Sequence, residues 1–114
     1  MAKMSKIAQT AASYLIDDGL QTPKVGPWAE EKYSLVRLYN ELFSTGMKKI
    51  WDKRVYIDLF SGPGRARIRG VEKIISSSPL IALGVKDTYD AYVFCDEQRE
   101  NIESLRTRID ILFC

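Results

Sequence analysis

The chain has 114 residues, with 17 Lys+Arg against 15 Asp+Glu and a formal net charge of +2. That size suits one domain rather than two, and 46% apolar with 28% charged residues argues against disorder throughout. No apolar run approaches the roughly 18 residues of a membrane span. The absence of histidine excludes a Ser-His or Cys-His catalytic pair and a His-ligated metal.

Residues 5 to 16 have Ile7, Ala11, Tyr14 and Leu15 at helical spacing. Gln9, Thr10 and Ser13 interrupt any signal-peptide core, so the expectation is a mature cytoplasmic chain. Residues 17 to 27, DDGLQTPKVGP, read as a loop. A long helix then opens after Pro27, where a missing N–H costs nothing, with Glu30 and Glu31 suited to the positive end of the dipole. Leu35, Tyr39, Leu42, Phe43 and Met47 form an apolar stripe predicted to pack on a sheet. Lys48 and Lys49 fall in its last turn, and Trp28, Tyr33 and Trp51 read as packing aromatics, the first two also able to shape a nucleoside pocket.

RVYIDLF (54 to 60) reads as a buried parallel strand, apolar apart from Arg54 and Asp58. Residues 65 to 75 read as a long loop or small excursion, and residues 76 to 85 as a short helix with a serine cap and Pro79 in its first turn. AYVFCD (91 to 96) is a second buried strand, and residues 97 to 109 a helix with Ile102, Leu105 and Ile109 inward. Strands alternating with helices imply an α/β fold with parallel pairing. Cys95 and Cys114 are too few for a disulfide framework or a four-thiolate site. Cys95 reads as an inert core thiol.

The segment from Asp58 to Gly64, Asp-Leu-Phe-Ser-Gly-Pro-Gly, is the informative one. A glycine loop at the carboxyl end of a first strand is where open α/β sheets bind nucleotides. Gly62 and Gly64 permit a sharp turn and close approach of a ligand at Phe60 and Ser61. Asp58, costly to bury alone, should accept hydrogen bonds from loop N–H groups or a ligand amine. No G-K-[ST] follows, and Arg67 stands where a dinucleotide fingerprint needs its third glycine. A tight turn without a ligand is the alternative. Asp96 and Glu97, at the tip of the second strand, could accept the ribose hydroxyls of a nucleoside, or merely cap the next helix. Asp58 and Asp96 are 38 residues apart, wider than the usual unit. Arg65, Arg67 and Arg69 alternate with small or apolar residues. They would line one face for phosphates of a nucleic acid or the carboxylate of a cofactor, or form a solvated basic loop.

Asp-x-x-x-Gly-x-Gly resembles motif I of class I S-adenosylmethionine-dependent methyltransferases. The stretches DDGL, VGPWAEEKY, LFSTGMK, WDKRVYIDLFSGPG, SSPLIAL and YVFCD together resemble the three-Cys-motif partner protein family. The match runs from about residue 17 to the C-terminus. It implies a Rossmann-like fold, S-adenosylmethionine as cofactor at Asp58, Phe60, Ser61, Gly62, Gly64, Asp96 and Glu97, and a companion protein bearing three cysteines. It also implies a longer protein. A complete methyltransferase sheet has seven strands, whereas two, and the start of a third, are read here. No N-P-P-[YFW] or Pro-Cys motif marks a catalytic residue: neither Asn40 nor Asn101 precedes a proline. The expectation is an N-terminal helix and loop over 1–27, and over 28–114 the truncated N-terminal half of a methyltransferase-like Rossmann domain. Methyl transfer would require the missing part. The alternative is a non-enzymatic remnant or a module completed by a partner.

Overall fold

The computed structural model describes residues 15–113, so the helix expected over 5 to 16 lies outside the described residues except for Leu15 and Ile16. From there the order is β1 (Lys24–Val25), α1 (Trp28–Met47), β2 (Val55–Asp58), β3 (Arg65–Ile68), β4 (Lys73–Ser76), α2 (Ser78–Leu83), β5 (Ala91–Phe94) and α3 (Arg99–Phe113). This is a small α/β architecture.

The strands form two separate sheets rather than one parallel sheet. β2 and β5 pair in parallel, with Val55 opposite Ala91 and Asp58 opposite Phe94. The second sheet is mixed: β1 lies parallel to β3, and β3 pairs antiparallel with β4, Arg65 opposite Ser76 and Ile68 opposite Lys73. The segment read as a loop over 65 to 75 is therefore a hairpin. Its alternation of charged and apolar residues is the two-residue period of a half-buried strand, with Ala66, Ile68 and Ile74 inward. Its turn places Gly70 at φ 94° and Glu72 at φ 55°.

Most buried apolar residues come from this hairpin, α2 and α3. Ile68, Ile74, Leu80, Ile81, Ala82 and Leu105 are all buried. α2 starts after Ser77, carries Pro79 in its first turn and ends where the Gly84 N–H bonds the Leu80 and Ile81 carbonyls, both at 3.1 Å.

The other half is open. Pro27 precedes α1 with near-helical angles (φ −61°, ψ −23°), as expected, but the helix turns a different face inward. Ala29, Asn40 and Ser44 are buried, whereas Leu35, Tyr39 and Leu42 are exposed. Polar anchors decide the orientation. The Tyr89 hydroxyl donates to Asn40 Oδ1 at 2.7 Å, and Arg54 donates to the Ser44 carbonyl. Lys48 caps the helix C-terminus from just outside it and pairs with Asp87 at 2.7 Å. Neither expected buried strand is buried on both faces. Tyr56, Tyr92 and Phe94 pack with Tyr89 in an aromatic cluster on one side, with ring centroids 5.5–6.2 Å apart. Val55, Ile57 and Val93 are exposed on the other, and Cys95, expected in the core, is exposed too. Trp28 and Trp51 are also exposed rather than packed. Among the described residues no helix is long and apolar enough to cross a membrane.

Candidate functional site

The carboxyl ends of β2 and β5 lie side by side, and the chain between Asp58 and Gly64 bends across them. The Asp58 carbonyl accepts the Cys95 N–H at 2.9 Å, and the Cys95 carbonyl accepts the Ser61 N–H at 2.9 Å. The structure therefore brings the two predicted acids to neighbouring strand ends despite their wide sequence separation.

The two glycines serve different ends. Gly62 has φ 68°, and a Cβ built on it would meet nothing within 4 Å. It is needed for its backbone angle and faces open space. Gly64 has φ 97°, and a Cβ there would sit 3.0 Å from Leu80 Cγ and 3.1 Å from Leu105 Cδ1. It is needed both for its angle and for close packing of the loop on α2 and α3. The Gly64 carbonyl in turn accepts the Ser77 N–H at 2.8 Å.

Asp96 takes the capping role and also reaches the glycine loop. Its Oδ1 accepts the Gln98 N–H at 2.8 Å and the Asn101 side-chain amide at 3.2 Å, which fastens the start of α3. Its Oδ2 accepts the Gly62 N–H at 3.0 Å. These donors, the Gln98 N–H foremost, hold its carboxyl below the usual carboxylate range. A carboxylate has about four acceptor positions, so Asp96 can take about one more hydrogen bond without releasing Gly62. The neighbouring Glu97 is exposed.

Asp58 is half-buried and well partnered. Its Oδ1 accepts the Phe60 N–H at 3.2 Å, the loop contact expected from sequence. Its Oδ2 accepts the Ser78 hydroxyl at 2.6 Å and the Tyr56 hydroxyl at 3.2 Å, two contacts that the sequence reading missed. Tyr56 stands two residues before Asp58 on the same strand face, a spacing that could have exposed it. Burial, reinforced by the Asp58 carboxylate, pushes the Tyr56 phenol well up and raises the Tyr33 phenol. Asp58 and Ser78 line a groove of about 890 Å³ between α1 and β2, together with Lys32, Tyr39, Phe43 and the exposed Phe60.

The arginines of the hairpin do not form a free basic stripe. Arg67 pairs with Asp17 at 2.9 Å and Arg65 with Asp18 at 3.2 Å, while Arg69 is exposed. DDGL, read as a loop, thus supplies counter-charges to two of the three, which leaves the phosphate reading without support.

Comparison with protein-family models, with curated proteins and with solved structures returned no match.

Proposed function

We propose that the carboxyl ends of β2 and β5 take an adenosyl sulfonium compound, S-adenosylmethionine, in a methyltransferase-like protein of the three-Cys-motif partner type. The observation that carries this reading is the Gly62 N–H held on Asp96. It ties an open glycine turn to the acid of the adjacent parallel strand, at the place where open α/β sheets bind nucleotides. The residues fit the ligand. Asp58 Oδ1, with one partner, has acceptor capacity for the methionine amine. The space over Gly62 admits the chain near Phe60, Ser61 and Gly64. Asp96 offers one acceptor position and Glu97 the next, which together serve the two ribose hydroxyls. S-adenosylmethionine supplies the electrophilic methyl group; the residues named here hold and orient it, and positioning is most of what methyl transfer asks of a protein.

Isothermal titration with S-adenosylhomocysteine tests the assignment. Asp96→Ala should weaken binding at least tenfold, about 1.4 kcal/mol. Asp96→Asn, which keeps an N-terminal cap for α3, serves as the folding control. Equal affinity in wild type and Asp96→Ala, or no binding in either, removes the ribose role.

A second reading, a module completed by a partner, is favoured by the open half. Among the described residues β2 has a strand neighbour on one edge only. Leu35, Tyr39 and Leu42 on α1 and Val55 and Ile57 on β2 leave an apolar surface uncovered. The companion bearing three cysteines belongs to this reading. Size-exclusion chromatography with light scattering discriminates: a well-behaved monomer with a cooperative melt argues against a required partner.

A further inference from the structure

Arg108 lies on α3 with 1% of its surface exposed, and it is the largest of the fully buried side chains. A guanidinium has five N–H donors, and all five are used. Nε and Nη2 grip Asp18 Oδ2 and Oδ1 at 2.8 and 2.7 Å. Nη2 also reaches Thr22 Oγ1 at 3.2 Å, and Nη1 donates to the Gln21 carbonyl at 2.7 Å. The remaining bond, again from Nη1, goes to the Pro63 carbonyl at 2.8 Å. Pro63 stands between the two left-handed glycines of the loop.

One buried cation therefore fastens two segments that are remote in sequence: residues 17–22, which cross the start of the fold, and the glycine turn. Its bond to Pro63 fixes the plane of the Pro63–Gly64 peptide, so the Gly64 N–H must point away from Arg108. The 17–22 segment has further ties to the same helix and hairpin. The Gln21 N–H donates to Ser104 Oγ at 3.1 Å, and Arg65 reaches Asp18 at 3.2 Å. A buried arginine is tolerated only when its partners are all in place. Loss of Asp18 therefore disturbs the bond to Pro63 as well.

We propose that Asp18 and Arg108 form a latch that holds the glycine loop in its ligand-binding shape and links ligand affinity to the seating of residues 17–22. The ligand part of this inference rests on the adenosyl reading above; the latch itself does not. Linkage is reciprocal, so a ligand that favours the set loop also secures the 17–22 segment. Arg108 is a positioning residue, acting through Pro63.

The experiment uses the full chain, with hydrogen exchange and S-adenosylhomocysteine titration on wild type, Asp18→Asn, Arg108→Lys and the milder Thr22→Val. With the latch broken, the Ser61 and Gly62 amides should exchange about tenfold faster while Val93 on β5 stays protected. S-adenosylhomocysteine affinity should fall by about tenfold, within the usual range of couplings between sites. In wild type the ligand should slow exchange at Gln21. Where the two charge variants do not fold, Thr22→Val is read for a smaller change in the same direction. Unchanged exchange at Ser61 and Gly62 in folded variants overturns the latch. Faster exchange with unaltered affinity overturns its link to the ligand. If wild type binds no S-adenosylhomocysteine, the adenosyl reading and the link fall together, and the latch is judged by exchange alone.

Discussion

Gly64→Ala is the sharpest test of how the loop is built. Two costs fall on that one methyl group. The first is the backbone angle: at φ 97° an L-residue is strained by roughly 1–2 kcal/mol. The second is space. The methyl would lie 3.0 Å from Leu80 Cγ and 3.1 Å from Leu105 Cδ1, and both leucines are buried. Forcing a methyl into a packed site costs roughly 1–3 kcal/mol. Against these, removing glycine from the unfolded chain returns about 0.4–1 kcal/mol. The net loss is therefore roughly 1–4.5 kcal/mol. Gly62→Ala isolates the first cost, because nothing lies within 4 Å of the added atom, and it should lose only about 1 kcal/mol. Urea unfolding followed by circular dichroism measures both, with the linear slope checking that the denatured state is unchanged. The reasoning fails if Gly64→Ala is as mild as Gly62→Ala, since packing against Leu80 and Leu105 would then contribute nothing.

Acid should expose the Asp18 contacts. Arg108, as donor to both carboxylate oxygens, holds the Asp18 carboxyl down at about 2. A lowered folded-state value means stability that is present above the unfolded value near 4 and is lost as pH falls toward 2. Allowing for partial exposure of the side chain, that loss is on the order of 1–2 kcal/mol. Asp18→Asn should flatten that limb in urea midpoints measured from pH 6 to pH 2, and an unchanged limb refutes the assignment. Cys95 is exposed at the tip of β5, so in a Cys114→Ser background maleimide should label it in the folded protein, and S-adenosylhomocysteine should slow the labelling. Labelling only after denaturation would place that strand end in a covered position and contradict the open strand ends.

Among the described elements, the helices and strands β2 and β5 were legible because each carries its own period and punctuation, whereas the two-residue β1 sat in a stretch read as loop. The hairpin was not. RARIRGVEKIIS alternates as a strand should, but its glycine and its density of charge resemble a loop. The charges are accommodated only because Asp17 and Asp18, far off in sequence, pair with Arg67 and Arg65. The orientation of α1 was misread for a related reason. Periodicity identifies which residues share a helix face, not which face meets the core. The choice was made by Asn40 binding Tyr89 and by the Ser44 carbonyl binding Arg54, contacts set by residues in the connections before β5 and β2. At the candidate site, Asp58, Gly62, Gly64 and Asp96 stood out because a strand ending in an acid and two glycines is locally unusual. Ser78 and Arg108 did not. Ser78 looked like one of three cap serines, and Arg108 like one more charge on an amphipathic helix. Only the fold turns them inward.

The loop belongs to both halves of the molecule. Its strands, β2 and β5, have one exposed apolar face, yet beside its bonds to their ends it has anchors in the packed half: Arg108 and Leu105 on α3, Leu80 on α2, and the Ser77 N–H. A turn held only by β2 and β5 would depend on whatever covers their apolar face. A turn held by α2 and α3 need not. The loop's shape is thus set by contacts already made within the chain, so a ligand at the strand ends meets a turn that needs little ordering on binding, and less of its interaction energy is spent on that ordering. The apolar surface of α1 and β2 can then change its neighbours without moving Gly62 away from Asp96, which separates the adenosyl reading from the partner reading: one concerns the strand tips, the other the strand faces.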